Sequence, residues 1–201
     1  VPIARVLLAS VLAATTSVIG ATVVAAAGPT DSDRRALRAK LLTAPEFAGA
    51  STRTGWHVRR DPGQFDCDAL RQTRDATVRV RRDFSSDADA TGLEHASRFR
   101  TVGEAREAFA AVKTVVRACD SSSEGIIVRV VRDEAAPGPG HVRVIQVFFR
   151  NPEAGSDTHS FGVIRHQRKV AVVHLGEMGR TPVKAFRGTV TLAADKLAGR
   201  L

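Results

Sequence analysis

Aromatic side chains are scarce in this chain, at 5% of 201 residues, with one tryptophan and no tyrosine. Non-specific single-strand binding relies on rings that stack bases. Nucleic acid therefore ranks low among partners, despite a formal charge of +9. Cysteine is nearly absent too. The two that exist, Cys67 and Cys119, stand in no CxxC motif and beside no histidine cluster, which leaves a reactive or metal-binding pair as the weaker reading. Also missing are a Gly-rich phosphate loop, a GxSxG elbow, an SxxK pair and an HExxH helix.

The six histidines, His57, His95, His141, His159, His166 and His174, are dispersed, with no i, i+4 helical pair and no alternate spacing on a strand. Asp157-Thr158-His159-Ser160 brings an acid, a base and a hydroxyl together. Neighbours on an extended strand point to opposite faces, so His159 and Ser160 cannot exchange a proton there. His174 with Glu177 reads as a strand end entering a turn. The expectation is a non-enzymatic protein with no catalytic residue, no metal and no cofactor.

What is present begins with an export pattern. Val6 to Ala27 carries no charge, follows Arg5 and ends in three alanines, as a secretory leader does before cleavage. Residues 1–27 are read as a signal peptide and 28–201 as one domain. The run is long enough to span a bilayer, so membrane anchoring by an uncleaved helix is the alternative to a secreted product. An oxidising compartment turns an even cysteine pair into a disulfide. Closing a loop of that length between Cys67 and Cys119 would contribute roughly 4 kcal/mol in the chain-entropy account.

The clearest helix is TVGEAREAFAAVKTVVRAC, Thr101 to Cys119, whose apolar residues recur at steps of three and four and whose Thr101 and Glu104 have capping-box spacing. A first helix is expected over Thr30 to Pro45, ended by the proline, and a last one from Thr181 to Leu201, capped by Thr181 with Pro182 in its first position. Strands are expected at Ala76–Phe84, Leu93–Arg100, Gly125–Arg132, His141–Arg150, His159–His166 and Lys169–Gly176, with a helical turn over Cys67–Arg74 and a short strand at Trp56–Arg60. Strand His141–Arg150 is apolar on both faces, which marks it as central. These elements predict an α+β fold: an antiparallel sheet of five to six strands, three helices and one disulfide.

Twenty-five of the 30 basic residues are arginine. Arg79, Arg81, Arg98, Arg100, Arg129 and Arg143 alternate with apolar residues on the expected strands. They suit either a solvated sheet face or a cleft for an anionic ligand. Trp56 packs over the core edge in one reading and lines a ligand cleft in the other. The candidate ligand-binding set is thus Trp56, Arg79, Arg81, Arg98, Arg129 and Arg143.

LLTAPEF at Leu41–Phe47, Cys67 after a loop, AREAFAAVKTVVRAC at Ala105–Cys119, the strand series and the terminal AADKLAGRL at Ala193–Leu201 form a pattern that resembles the PknH-like extracellular domain family. These are sensor-type domains found outside some bacterial serine/threonine kinases. The resemblance implies an antiparallel sheet with helices around a cleft for an extracellular ligand or cell-envelope component. The kinase-attached domains generally carry two disulfides, whereas this sequence can form one. A secreted, sensor-like binding domain is the leading expectation, and a structural or protein-interaction module at the cell surface is the alternative.

Overall fold

The computed structural model describes residues 30–60, 68–118, 127–151, 155–179 and 181–201. The expected leader and both cysteines, hence the expected disulfide, lie outside these residues. Among the described residues, no helix is long and apolar enough to cross a membrane.

Among the described residues seven antiparallel strands form one sheet: β1 His57–Val58, β2 Val78–Ser85, β3 Thr91–Arg98, β4 Ile127–Ala135, β5 His141–Asn151, β6 Gly155–His166 and β7 Lys169–Met178. Their order is β1-β2-β3-β7-β6-β5-β4. The mixed helix and antiparallel sheet class is as expected, but the count of five to six strands is corrected to seven. The seventh strand is β1, a two-residue edge that falls within the short strand expected at Trp56–Arg60 and pairs with Ser85 and Phe84. The two-residue turn Gln167-Arg168 sets His166 opposite Lys169, and Gln167 enters the left-handed region at φ 52°.

Among the described residues there are four α-helices rather than three: α1 Asp31–Arg38, α2 Ala44–Ala48, α3 Val102–Arg117 and α4 Val183–Ala198. The expected first helix is really two. Thr30 and Asp33 close a capping box on α1, and Thr43 with Glu46 closes another on α2, where Pro45 sits in the first turn. Proline lacks the N–H that a first turn leaves unpaired, so it starts this helix instead of ending the previous one. A 3-10 helix at Asp68–Thr73 matches the expected turn, and Thr101 caps α3 as its spacing predicts.

Both sheet faces are covered. Leu37, Leu42, Phe47, Phe186, Val190 and Leu197 pack α1, α2 and α4 on the face bearing Val80, Ala96, Val144 and Val173. Ala105, Phe109, Val112 and Val116 pack α3 on the other, against Ile145, Val147, Phe161 and Val172. This is why β5 is apolar on both sides. Gly162 lets α4 approach: a Cβ there would lie 2.3 Å from the Val190 side chain.

The α1–α2–α4 side also buries a carboxylate. Glu94 is 1% exposed and accepts the Leu42 N–H at 2.5 Å. Burial pushes its carboxyl up to about 7, although the Leu42 hydrogen bond, Lys196 and Arg82 pull the other way.

Candidate functional site

The start of α4 departs from expectation in a way that shapes a cavity. Pro182 occupies the cap position, so α4 has no side-chain cap, and Thr181 does not supply one. The proline ring fixes the entry angle of the chain. Thr181 is 5% exposed, and its hydroxyl is buried with no hydrogen-bond partner. An unpaired buried hydroxyl costs free energy unless something satisfies it.

That hydroxyl belongs to the lining of a cavity of about 450 Å³, bounded by Arg129, Val131, Arg132, Gln146, Phe148, Thr158, Thr181 and Val183. β5 and β6 supply its floor, β4 one wall and the first turn of α4 the other. The β4–β5 register shifts between Val130 and Arg132. A bulge adds a residue to one strand and re-aims its side chains, and here the neighbours Val131 and Arg132 both line the cavity.

The floor is polar inside an otherwise apolar layer. Gln146 donates to the Ser160 hydroxyl at 2.9 Å, and the Thr158 hydroxyl donates to the Gly179 carbonyl at 2.6 Å. Arg132 is tied to Glu134 at 3.0 Å, a carboxylate also held by Arg187. Arg129 forms no ion pair among the described residues and is exposed. Among the described residues the cavity thus offers one uncommitted cation, one unsatisfied hydroxyl and an uncapped helix start beside the apolar surfaces of Val131, Phe148 and Val183.

The arginines singled out in the sequence do not converge. Only Arg129 lines this cavity. Arg98 faces α1 and pairs with Asp33 at 2.9 Å. Arg143 donates to Asp133 at 2.9 Å from the α3 side, and Arg117 of α3 binds the same carboxylate. Arg81 chelates Asp83 from its own strand, at 2.8 Å for the Nε donor. Arg79 is exposed on β2. Trp56 packs at a tilt against Phe47 with centroids 5.1 Å apart and donates to the Arg53 carbonyl, so it packs on the core edge.

A second cavity of about 390 Å³ wraps the β1–β2 edge, lined by Arg38, Val58, Arg59, Arg60, Arg81, Arg82 and Asp83. Arg82 there is committed to the Leu41 and Leu42 carbonyls.

The opposite sheet face holds a histidine pair that dispersion in sequence concealed. His159 Nδ1 and His174 Nε2 lie 3.1 Å apart, leaning over Gly176, where a Cβ would stand 3.4 and 3.5 Å from the two rings. Phe149 and Phe161 flank them. Burial, then the His159 and Arg81 charges, holds His174 well below the usual histidine range. No group of three or more metal-ligating side chains occurs among the described residues. His159 and Ser160 face opposite sides, as expected, with Ser160 bonded to Gln146.

Gln146, Thr158 and Thr181 were not anticipated as site residues. The available signal was Gln146, which interrupts the Val142, Val144, Phe148 face of β5. No family model matches this sequence, and no curated protein matches it. In structure, the chain is similar to the crystal structure of the extracellular domain of PknH from Mycobacterium tuberculosis, with a TM-score of 0.63 and 12% sequence identity over 83% of this chain and 96% of that one. At that identity the likeness is one of fold alone.

Proposed function

We propose that this protein is a sensor-like binding domain that acts outside the cell membrane without catalysing a reaction. It takes an anionic small molecule or cell-envelope component into the cavity between β4 and the start of α4. The observation that carries this reading is the cavity's composition: buried polar groups with unspent hydrogen-bonding capacity beside apolar walls, the combination that ligand pockets use for orientation and affinity. The fold shared with the extracellular domain of PknH supports the location. Under this reading the leader is cleaved or retained as an anchor, and Cys67 and Cys119 are joined. A thermal-shift screen of anionic envelope components tests it, repeated on Phe148→Trp, which crowds the cavity wall. A stabilising compound whose effect disappears in F148W is expected. Absence of any shift across the classes, or hits indifferent to F148W, would refute the assignment.

The alternative is a protein-interaction module. It draws on β4, an edge strand that leaves Ile127, Val130 and Val131 exposed at 56%, 36% and 46%, the kind of edge to which another strand can add. Crosslinking that captures a protein partner through β4, with the cavity unaffected by any small molecule, would favour it.

A further inference from the structure

The cavity reading leaves open which chemical group it selects. We infer that the start of α4 and the Thr181 hydroxyl form an oxyanion-binding subsite, and that the cavity takes a molecule with one terminal carboxylate or phosphate on a short apolar body.

α4 is 16 residues long, and the aligned peptide dipoles of such a helix place partial positive charge at its first turn. Helices commonly satisfy the orphan N–H groups there with a Ser, Thr, Asp or Asn cap. This one has Pro182 at the cap and no side-chain acceptor, so the amides of its first turn stay open to an external anion, as in phosphate-binding helices.

Thr181 is the independent sign of a ligand. Its hydroxyl is buried, unpartnered and part of the cavity lining, so it can donate to an oxygen placed at the helix start. Arg129 stands on the opposite wall without a carboxylate among the described residues, whereas Arg132 is already neutralised by Glu134. An oxyanion held between them would receive donors from both walls. Beyond it, Phe148, Val131 and Val183 offer apolar surface, with no further uncommitted cation among the described lining residues. That asymmetry favours one charged end and one greasy end over a polyanion.

This inference rests on the proposed ligand cavity, and the test separates the two. Binding of octyl phosphate, octanoate, inorganic phosphate and neutral octyl glucoside is measured by calorimetry on the full chain, below micelle concentrations. Wild type, Thr181→Val, Thr181→Ser and Arg129→Gln are compared.

The expected result is binding of at least one octyl anion, weakened roughly tenfold or more in T181V, as loss of a hydrogen bond to a charged group predicts. T181S, which keeps the hydroxyl, stays near wild type. R129Q weakens binding and flattens its salt dependence. The tighter of octyl phosphate and octanoate identifies the head group, and weak inorganic phosphate binding reports the contribution of the apolar body.

Octyl glucoside binding as tightly as the anions, with T181V unchanged, would overturn the oxyanion subsite while leaving the cavity as a ligand site. The same holds if none of the four binds but a hit from the envelope screen is lost in F148W. If neither these probes nor the screen engages the cavity, both readings fall.

Discussion

Replacing Glu94 by glutamine should stabilise the protein in mild alkali and do little in mild acid. Glu94 is buried beneath α1 and α2, with a hydrogen bond from Leu42 and no ion pair among the described residues. Its carboxyl is pushed up to about 7 from an ordinary value of 4.5. Between those two values the folded protein holds a proton that the unfolded chain releases. The stabilisation from this proton is fully present below pH 4.5 and is lost as pH rises through 7. A shift of that size corresponds to about 3 kcal/mol, or roughly 6–12 °C in Tm for a domain of this size. Glutamine keeps an oxygen for the Leu42 N–H and has no charge to desolvate. Urea unfolding of wild type and E94Q from pH 4.5 to 8.5 at fixed ionic strength therefore measures one group, because every other titration cancels in the difference. The advantage of E94Q should grow by about 3 kcal/mol across that range. A difference that is flat, or that shrinks as pH rises, would mean Arg82 and Lys196 stabilise the carboxylate more than burial penalises it.

Other consequences follow from neighbouring elements. His95 is driven down to about 4 by burial and then by Arg79 and Arg81, so the unfolded chain takes up a proton first as pH falls. Its stabilisation is present above pH 6.5 and lost towards pH 4; His95→Gln should remove up to about 3 kcal/mol of acid sensitivity, read as a flatter urea midpoint against pH. Gly162→Ala should lower stability by about 1–3 kcal/mol, because the new methyl meets Val190, and calorimetric unfolding at an unchanged Tm would contradict the close docking of α4. Gln167→Gly should raise Tm, since Gln167 occupies a positive φ that costs a non-glycine residue about 1 kcal/mol; a lowered Tm would argue against the two-residue β6–β7 turn.

Helix α3 and the paired strands were legible from sequence because their signals are local: the Thr101–Glu104 cap and the alternation along β2 depend on nothing distant. The faults occur where one proline decides between two local outcomes. Pro45 stops one helix or starts another, and Pro182 takes a cap position that Thr181 seemed suited to fill. Side-chain partnerships were less legible. The arginines alternate correctly along their strands, but Asp33 and Asp133, from other elements, determine which of them are committed. The histidine pair could have been found: a two-residue turn at Gln167-Arg168 places His159 opposite Gly176 and one diagonal step from His174. The cavity could not, because it needs the start of α4 brought beside the β4 bulge, and neither the docking of one element on another nor a register shift is written in composition or period.

The account centres on the cavity at the start of α4, and an amide chemical-shift map with the strongest thermal-shift hit tests it most directly. The largest shifts should fall on Gln146, Phe148, Thr158, Thr181 and the first turn of α4. Shifts confined to the Arg59–Arg60 edge or to the exposed strand β4, with α4 silent, would contradict it.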